Sequence, residues 1–329
     1  MAQDTLLILC VIFTAYVFDF INGFHDAANA IATIVTTKVL TPRQAVIWAA
    51  IFNFVAFIFF KMTVAKTIGM DLIDSQAIDA SLLFSALIAS IGWGIATWYW
   101  GLPTSSSQAL IGGLVGAAIM RGGPMAIKWL GFVKIILAIF LSPIVGLLLS
   151  FTLIYCLTHI FKKTDKRRLN TIFKSFQLFS SACLSLAHGT NDAQKTMGII
   201  TALLFSAHWL NGPFYVPFWV VISSCFVISL GTLFGGWRIV RTMGTGITHL
   251  NTMRGCSAET AAAVAVLTAT EYGLPVSTTQ TVTGAIAGVG LVQGLSGTCW
   301  PMLRLIFLSW LITMPVTGLV SALIMRVVQ

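Results

Sequence analysis

The chain has 329 residues, of which 57% are hydrophobic and 9% charged, with a formal net charge of +9; a soluble domain carries roughly 25% charged residues. That balance excludes an ordinary soluble domain and places the chain in lipid. The cations are concentrated in one short segment, Lys162, Lys163, Lys166, Arg167, Arg168 and Lys174, which reads as an orientation signal and solvated loop rather than a nucleic-acid surface.

In chain order, long apolar stretches run over Thr5 to Phe18, Ala45 to Phe60, Ala80 to Trp100, Ile135 to Leu157, Pro213 to Phe234, Ala258 to Leu274 and Leu303 to Val328. Most approach the ~17–25 residues that cross a bilayer as a helix. Ala27 to Val35, Ser107 to Met120 and Val276 to Leu291 are shorter or interrupted by Gly and polar residues. They are expected to be half-spans or hairpin arms. The opening Met-Ala-Gln-Asp has no positive n-region, so the first span is expected to be a retained anchor. Cys10, Cys156, Cys183, Cys225, Cys256 and Cys299 show no CxxC spacing, and neither disulfides nor a metal centre is expected.

Comparing the chain with itself gives the strongest signal. GFHDA at 23–27 returns as GTNDA at 189–193, an offset of 166, and GLPTSSSQALIG at 101–112 returns as GLPVSTTQTVTG at 273–284, an offset of 172. Both pairs fit one duplication, with residues 1–158 and 176–329 as transmembrane repeats and 159–175 as a basic cytoplasmic linker. With an acidic, Lys/Arg-free N-terminus outside and the basic segment inside, the first half crosses an odd number of times. The second half then starts inside and ends outside, giving inverted repeats with both termini outside.

Each GLP motif ends one helix with Gly and Pro and opens another with hydroxyl residues. A helix N-terminus within the membrane presents free N–H groups and a positive dipole end, worth at most ~2 kcal/mol to an anion. Two such ends facing each other form a cage for a tetrahedral oxyanion, lined by Ser105, Ser106, Ser107, Gln108, Ser277, Thr278, Thr279 and Gln280. Helix capping and close helix packing explain one copy of this motif; duplication favours the cage.

The other constellation joins His25, Asp26 and Asn29 with His188, Asn191, Asp192 and Lys195. A carboxylate inside an apolar span costs ~2.5–3.5 kcal/mol on insertion scales and calls for a cation or proton partner. Asp26 with Asn29, and Asp192 with Lys195, each share a helix face. Their oxygens suit Na⁺ or a hard divalent ion, or else form a structural hydrogen-bond network. Lys195 stands where the first half has Asn29: either it replaces a bound cation beside Asp192 or it binds the anion directly. His25, and likewise His188, is either a proton-coupling group or a neutral hydrogen-bonding one. Glu259 reads as lying near the membrane interface with Arg254, and Glu271 as a candidate for the cation path.

These motifs, with AETAAAVAVL at 258–267, resemble the inorganic phosphate transporter (PiT) family over both halves. The resemblance implies an all-α, polytopic, homodimeric permease of the bacterial cytoplasmic membrane. It further implies two inverted repeats, re-entrant helical hairpins, phosphate between the hairpin tips and cations near Asp26 and Asp192. His25, and Gln194 with Lys195, depart from the sodium-coupled pattern and look like a bacterial branch that is proton-coupled and accepts metal-complexed phosphate. The expectation is therefore a symporter, not an enzyme, with no cofactor. Its partners are inorganic phosphate and H⁺ or Na⁺, with Na⁺ or a metal ion as candidate cargo. Sulfate permease and anion channel stand as alternatives. An intramembrane hydrolase is disfavoured, because there is no G-x-S-x-G elbow and catalysis does not need duplicated Ser clusters.

Overall fold

The structure, a computed structural model, describes residues 2–59 and 61–328. Its twelve described α-helices fall into two matching sets of six. The first set is α1 (Ala2–Thr36), α2 (Pro42–Val55), α3 (Thr63–Met70), α4 (Ala80–Trp100), α5 (Ser106–Gly122) and α6 (Trp129–Ile160). The second is α7 (Lys166–Ser206), α8 (Phe218–Phe234), α9 (Trp237–Thr245), α10 (Thr252–Glu271), α11 (Thr278–Leu291) and α12 (Trp300–Val328). Details repeat at the sequence offset: Asp79 and Asn251 cap α4 and α10, and Pro143 and Pro315 lie inside α6 and α12.

Packing obeys the same exchange. Helix α1 lies against α8 and α7 against α2; α5 lies against α12 and α11 against α6. The halves thus interlock, and no half buries its own core alone. Glycine makes the closest of these contacts. A Cβ at Gly112 would meet the Met314 backbone of α12, and one at Gly284 the Pro143 backbone of α6. Small residues are how helices approach in lipid, where burial of apolar surface supplies no drive.

By length and composition α1, α4, α6 and α12 can each cross a bilayer, and the bent pairs α2–α3 and α8–α9, at 80° and 73°, bring the number to as many as six if each pair counts as one broken span. Exposed Leu137, Leu141, Leu148, Leu311, Leu319 and Leu323 give α6 and α12 the apolar outer faces that lipid requires.

Both GLP segments are sharp elbows. Gly101 and Gly273 adopt φ of +69°, a left-handed conformation that suits glycine and ends the helix. Ser105 and Ser277 then cap α5 and α11 by accepting from the Gln108 and Gln280 amides at 3.1 and 3.2 Å. The pairs α4–α5 and α10–α11 are accordingly hairpins whose tips carry the hydroxyl runs, as expected for Ser107 to Met120 and Val276 to Leu291.

Two expectations change. Ala27 to Val35 is no separate half-span but continues α1, because polar side chains do not break a helix that lacks proline. Gly23 within it gives room for the backbone of α8 at Ile228. The basic segment is also more ordered than a loop: Lys166, Arg167, Arg168 and Lys174 form the first turns of α7, capped by Asp165 at 3.0 Å.

Candidate functional site

Helices α1 and α7 pack together and carry Asp26 and Asp192 along their lengths, where both hairpin tips arrive. Ser106 of the first tip donates to Asp26 Oδ2 at 3.0 Å, and Thr278 of the second donates to Asp192 Oδ2 at 3.3 Å. These are equivalent residues at offset 172 bonding to equivalent carboxylates at offset 166. Across the halves, Asn29 donates to Thr278 and Thr279 at 3.3 and 3.0 Å, and Thr279 donates to Asp26 Oδ1 at 3.1 Å. Lys195 donates to Ser107 at 2.5 Å and to Asp192 Oδ1 at 2.6 Å. Ser107 in turn donates to the Val276 carbonyl in the opposite tip, 2.9 Å away.

The remaining predicted residues divide by role. Ser105 and Ser277 are engaged as helix caps. Gln108 and Gln280 are buried, and the Gln280 amide and Gln108 Oε1 have no protein partner among the described residues. Buried amides without partners are rare, and here they sit beside the two helix N-termini. His25 joins Asp26 Oδ1 through Nδ1 at 2.8 Å, with Nε2 at 3.3 and 3.4 Å from Thr97 and Thr104 in its own hairpin. Asn191, its equivalent, donates to Thr270 and to the Leu274 carbonyl at 2.8 and 3.3 Å. Both residues moor a hairpin elbow to its core helix.

His188 lies 3.4 Å from Asp192 Oδ2 and 3.3 Å from Asn53 Oδ1. One ligand atom each of Asp26, His188 and Asp192 lies within 4.8 Å of the others, all buried. Carboxylate oxygens suit a hard cation, but Asp192 Oδ1 is already held by the Lys195 ammonium, and Oδ2 accepts from Thr278 with His188 beside it. Gln194 stands apart from this cluster: its amide accepts from the Val64 and Ala65 N–H groups and donates to the Lys61 carbonyl, closing the N-terminus of α3.

Sequence reasoning missed Asp19, and it took Asn22 as the start of the first-half constellation without giving it a role. Both are buried on α1; the Thr196 hydroxyl of α7 stands beside Asp19, and Asn22 has no side-chain partner among the described residues. The signal was available, because Asp19 precedes Asp26 by seven residues, two turns on one helix face. Glu259 and Glu271 are placed differently from their expectations. Glu259 is fully buried and accepts from Thr33, Gln177 and Ser180, whereas Arg254 donates to the His249 carbonyl. Glu271 is exposed at the end of α10.

Interlocked repeats, paired hairpins and an occluded polar centre within an apolar helical shell define a membrane transporter. A sequence profile described as the Phosphate transporter family matches residues 22–321, and the chain belongs to that family. Its members are transporters rather than enzymes. Among similar proteins, a "Probable low-affinity inorganic phosphate transporter" of Rhizobium meliloti (strain 1021) is 50% identical over 96% of this chain and 95% of its own length. A Bacillus subtilis (strain 168) protein of the same description is 42% identical over 98% and 97%. A solved structure described as "The sodium-dependent phosphate transporter" superposes with a TM-score of 0.90 at 25% identity, covering 98% of each chain.

Proposed function

We propose that this protein carries inorganic phosphate across a bacterial cytoplasmic membrane in symport with protons, alternating between states that part and close the two hairpin tips. Phosphate is held at the N-termini of α5 and α11 by their amides, by Ser106, Ser107, Thr278 and Thr279, and by Gln108 and Gln280. The cavity beside Asn22, His25, Thr104 and Ser106 is only about 20 Å³, room for one water and too small for a five-atom oxyanion. That cavity borders the first tip alone; between the tips Ser107 donates to the Val276 carbonyl at 2.9 Å, so binding there separates them. The repeats are inverted, both termini lie outside, and the start of α7 faces the cytoplasm by its positive charge. Homodimeric assembly rests on the family resemblance alone.

The observation that carries proton coupling is the Lys195 ammonium, 2.6 Å from Asp192 and 2.5 Å from Ser107. A fixed cation in contact with both a carboxylate and a tip hydroxyl supplies the charge that a sodium ion would bring there. A sodium-coupled reading is favoured by the sodium dependence of the structural neighbour and by the Asp26–Asn29 half, which contains no lysine. Uptake by purified protein in liposomes, with proton and sodium gradients imposed separately, separates the two. Accumulation should follow an inward proton gradient without Na⁺; strict dependence on Na⁺ would overturn proton symport.

A further inference from the structure

One buried carboxylate of α1 has no part in the phosphate cage. Asp19 is fully buried, no ion pair involves it among the described residues, and neither carboxylate oxygen has a hydrogen-bond partner among them. An unpaired carboxylate at such depth is costly, and in membrane proteins it marks ion or proton traffic. Its surroundings are unsatisfied too. Asn22, three residues on along the same face of α1, leaves both amide atoms without partners, and the Thr196 hydroxyl of α7, which stands beside Asp19, has none either. Buried polar groups are paired almost everywhere in folded proteins, so three such groups at one helix contact call for a ligand. The fold itself does not require the acid. At the offset of 166, Ser185 of α7 stands where Asp19 stands, and its hydroxyl is satisfied within its own helix by the Ser181 carbonyl at 2.8 Å.

We infer that Asp19 is a proton-binding group of the transport cycle on the extracytoplasmic side of the phosphate site, with Asn22 and Thr196 as the groups that hold its charged and neutral forms in turn. The inference rests on the proton-symport reading and on the outward N-terminus that the charge distribution gives. Asp19 precedes Asp26 by seven residues, about 10 Å along the helix axis toward that terminus. Asn22 lies between them and lines the cavity of about 20 Å³ that His25, Thr104 and Ser106 also border. A carboxylate needs donors, and a carboxylic acid also needs an acceptor. An amide offers both, and so does a hydroxyl. With Asp19 ionised, Thr196 and the Asn22 NH₂ donate to it; with Asp19 protonated, its O–H donates to the Asn22 carbonyl or to Thr196. One proton joins one oxygen and no other covalent bond changes, so each form finds its partners in the same two side chains.

A proton suits this place better than a metal ion. The charged groups that bear on Asp19 are Asp192 and Lys195 of α7; Tyr16 of α1 and Cys225 of α8 are its titratable neighbours. Of the other helices packed on α1, α11 carries no acid or base, α4 only Tyr99 at its elbow and α2 only Arg43 in its first turn. On α9 and α10, Arg238 stacks on Trp98 and Tyr99, and Glu259 bonds to Thr33. A proton neutralises Asp19 and adds no positive charge near the Lys195 ammonium, whereas a bound metal ion would keep its own.

The test uses Asp19→Asn, which mimics the protonated form and cannot release it, Asp19→Glu, which restores titration, and Thr196→Val, which keeps shape and removes the hydroxyl. In liposomes, D19N should lose accumulation driven by a proton gradient while still exchanging labelled for unlabelled phosphate at equal pH, because exchange needs no proton release. D19E should recover accumulation in part, and T196V should shift the pH profile of net uptake. Since Asn removes an unpaired buried charge, D19N should melt in detergent no lower than wild type. Equal loss of exchange and accumulation in D19N, or melting well below wild type, would overturn the inference. So would a rise in wild-type melting with added Na⁺ that D19N lacks, which would make Asp19 a sodium ligand. Wild-type protein that ignores the proton gradient and follows Na⁺ overturns proton symport and this inference together. A proton-driven wild type with an equally proton-driven D19N overturns the inference alone.

Discussion

Asn29 and Lys195 occupy equivalent positions in the two repeats and reach across to equivalent hydroxyls of the opposite hairpin, Asn29 to Thr279 at 3.0 Å and Lys195 to Ser107 at 2.5 Å. The geometry of the centre is thus two-fold and its charge is not. In the first half a neutral amide leaves Thr279 free to donate to Asp26 at 3.1 Å; in the second an ammonium stands between Ser107 and Asp192.

Replacing Lys195 by Asn should make the halves alike. Deleting one member of a buried pair costs about 3–5 kcal/mol, so Lys195→Ala should lower the melting temperature in detergent markedly, with Asn recovering part of the loss at high Na⁺. Uptake by K195N is expected to become sodium-stimulated. Sodium-independent, wild-type uptake by K195N would remove the ammonium from the coupling scheme.

Asp26 and Asp192 each receive a hydroxyl from the hairpin tip of their own repeat. Asp26→Asn and Asp192→Asn should both insert in the membrane and both fail to concentrate phosphate. D192N should also be the less stable of the two, because it strands the buried Lys195. Thermal denaturation in detergent and liposome uptake read the two effects separately; full uptake by either variant would take that carboxylate out of the mechanism.

The hairpins and their function-bearing tips were legible because Gly, Pro and Ser at fixed spacing dictate an elbow and a cap in any solvent. The continuity of α1 was not, since Asn22, His25 and Asp26 lower the apolar score of a helix without altering its backbone. Glu259 misled for a related reason. Spacing along α10 shows that an acid lies near Arg254, but only the fold brings Thr33 and Gln177 from two distant helices to bury it. Gln194 was read as a departure at the centre, yet its length lets it reach the N-terminus of α3.

The interlocking of the halves predicts a matched pair of packing defects. Ala at Gly112 would press on the α12 backbone, and Ala at Gly284 on the α6 backbone. Overpacking of this kind costs about 1–3 kcal/mol, so each variant should lose thermal stability in detergent by a similar amount. Unchanged melting of both would mean that these helices part more easily than their contact implies.

Discrimination against sulfate follows from what faces the tips. Hydrogen phosphate and dihydrogen phosphate carry a P–OH donor, and Asp26 and Asp192, together with the unpartnered Gln280 carbonyl, supply acceptors beside the tip hydroxyls. Sulfate brings only acceptors, so an acidic oxygen of the site would face an oxygen of the ligand. Leaving such a buried group unpaired costs about 1–3 kcal/mol, more where it is charged, and sites built for a donor reject analogues that lack it. Excess sulfate should therefore leave labelled phosphate uptake in liposomes nearly unchanged, while unlabelled phosphate suppresses it. Competition by sulfate equal to that by phosphate would show that the cage reads charge and shape alone, with no acceptor turned to the anion.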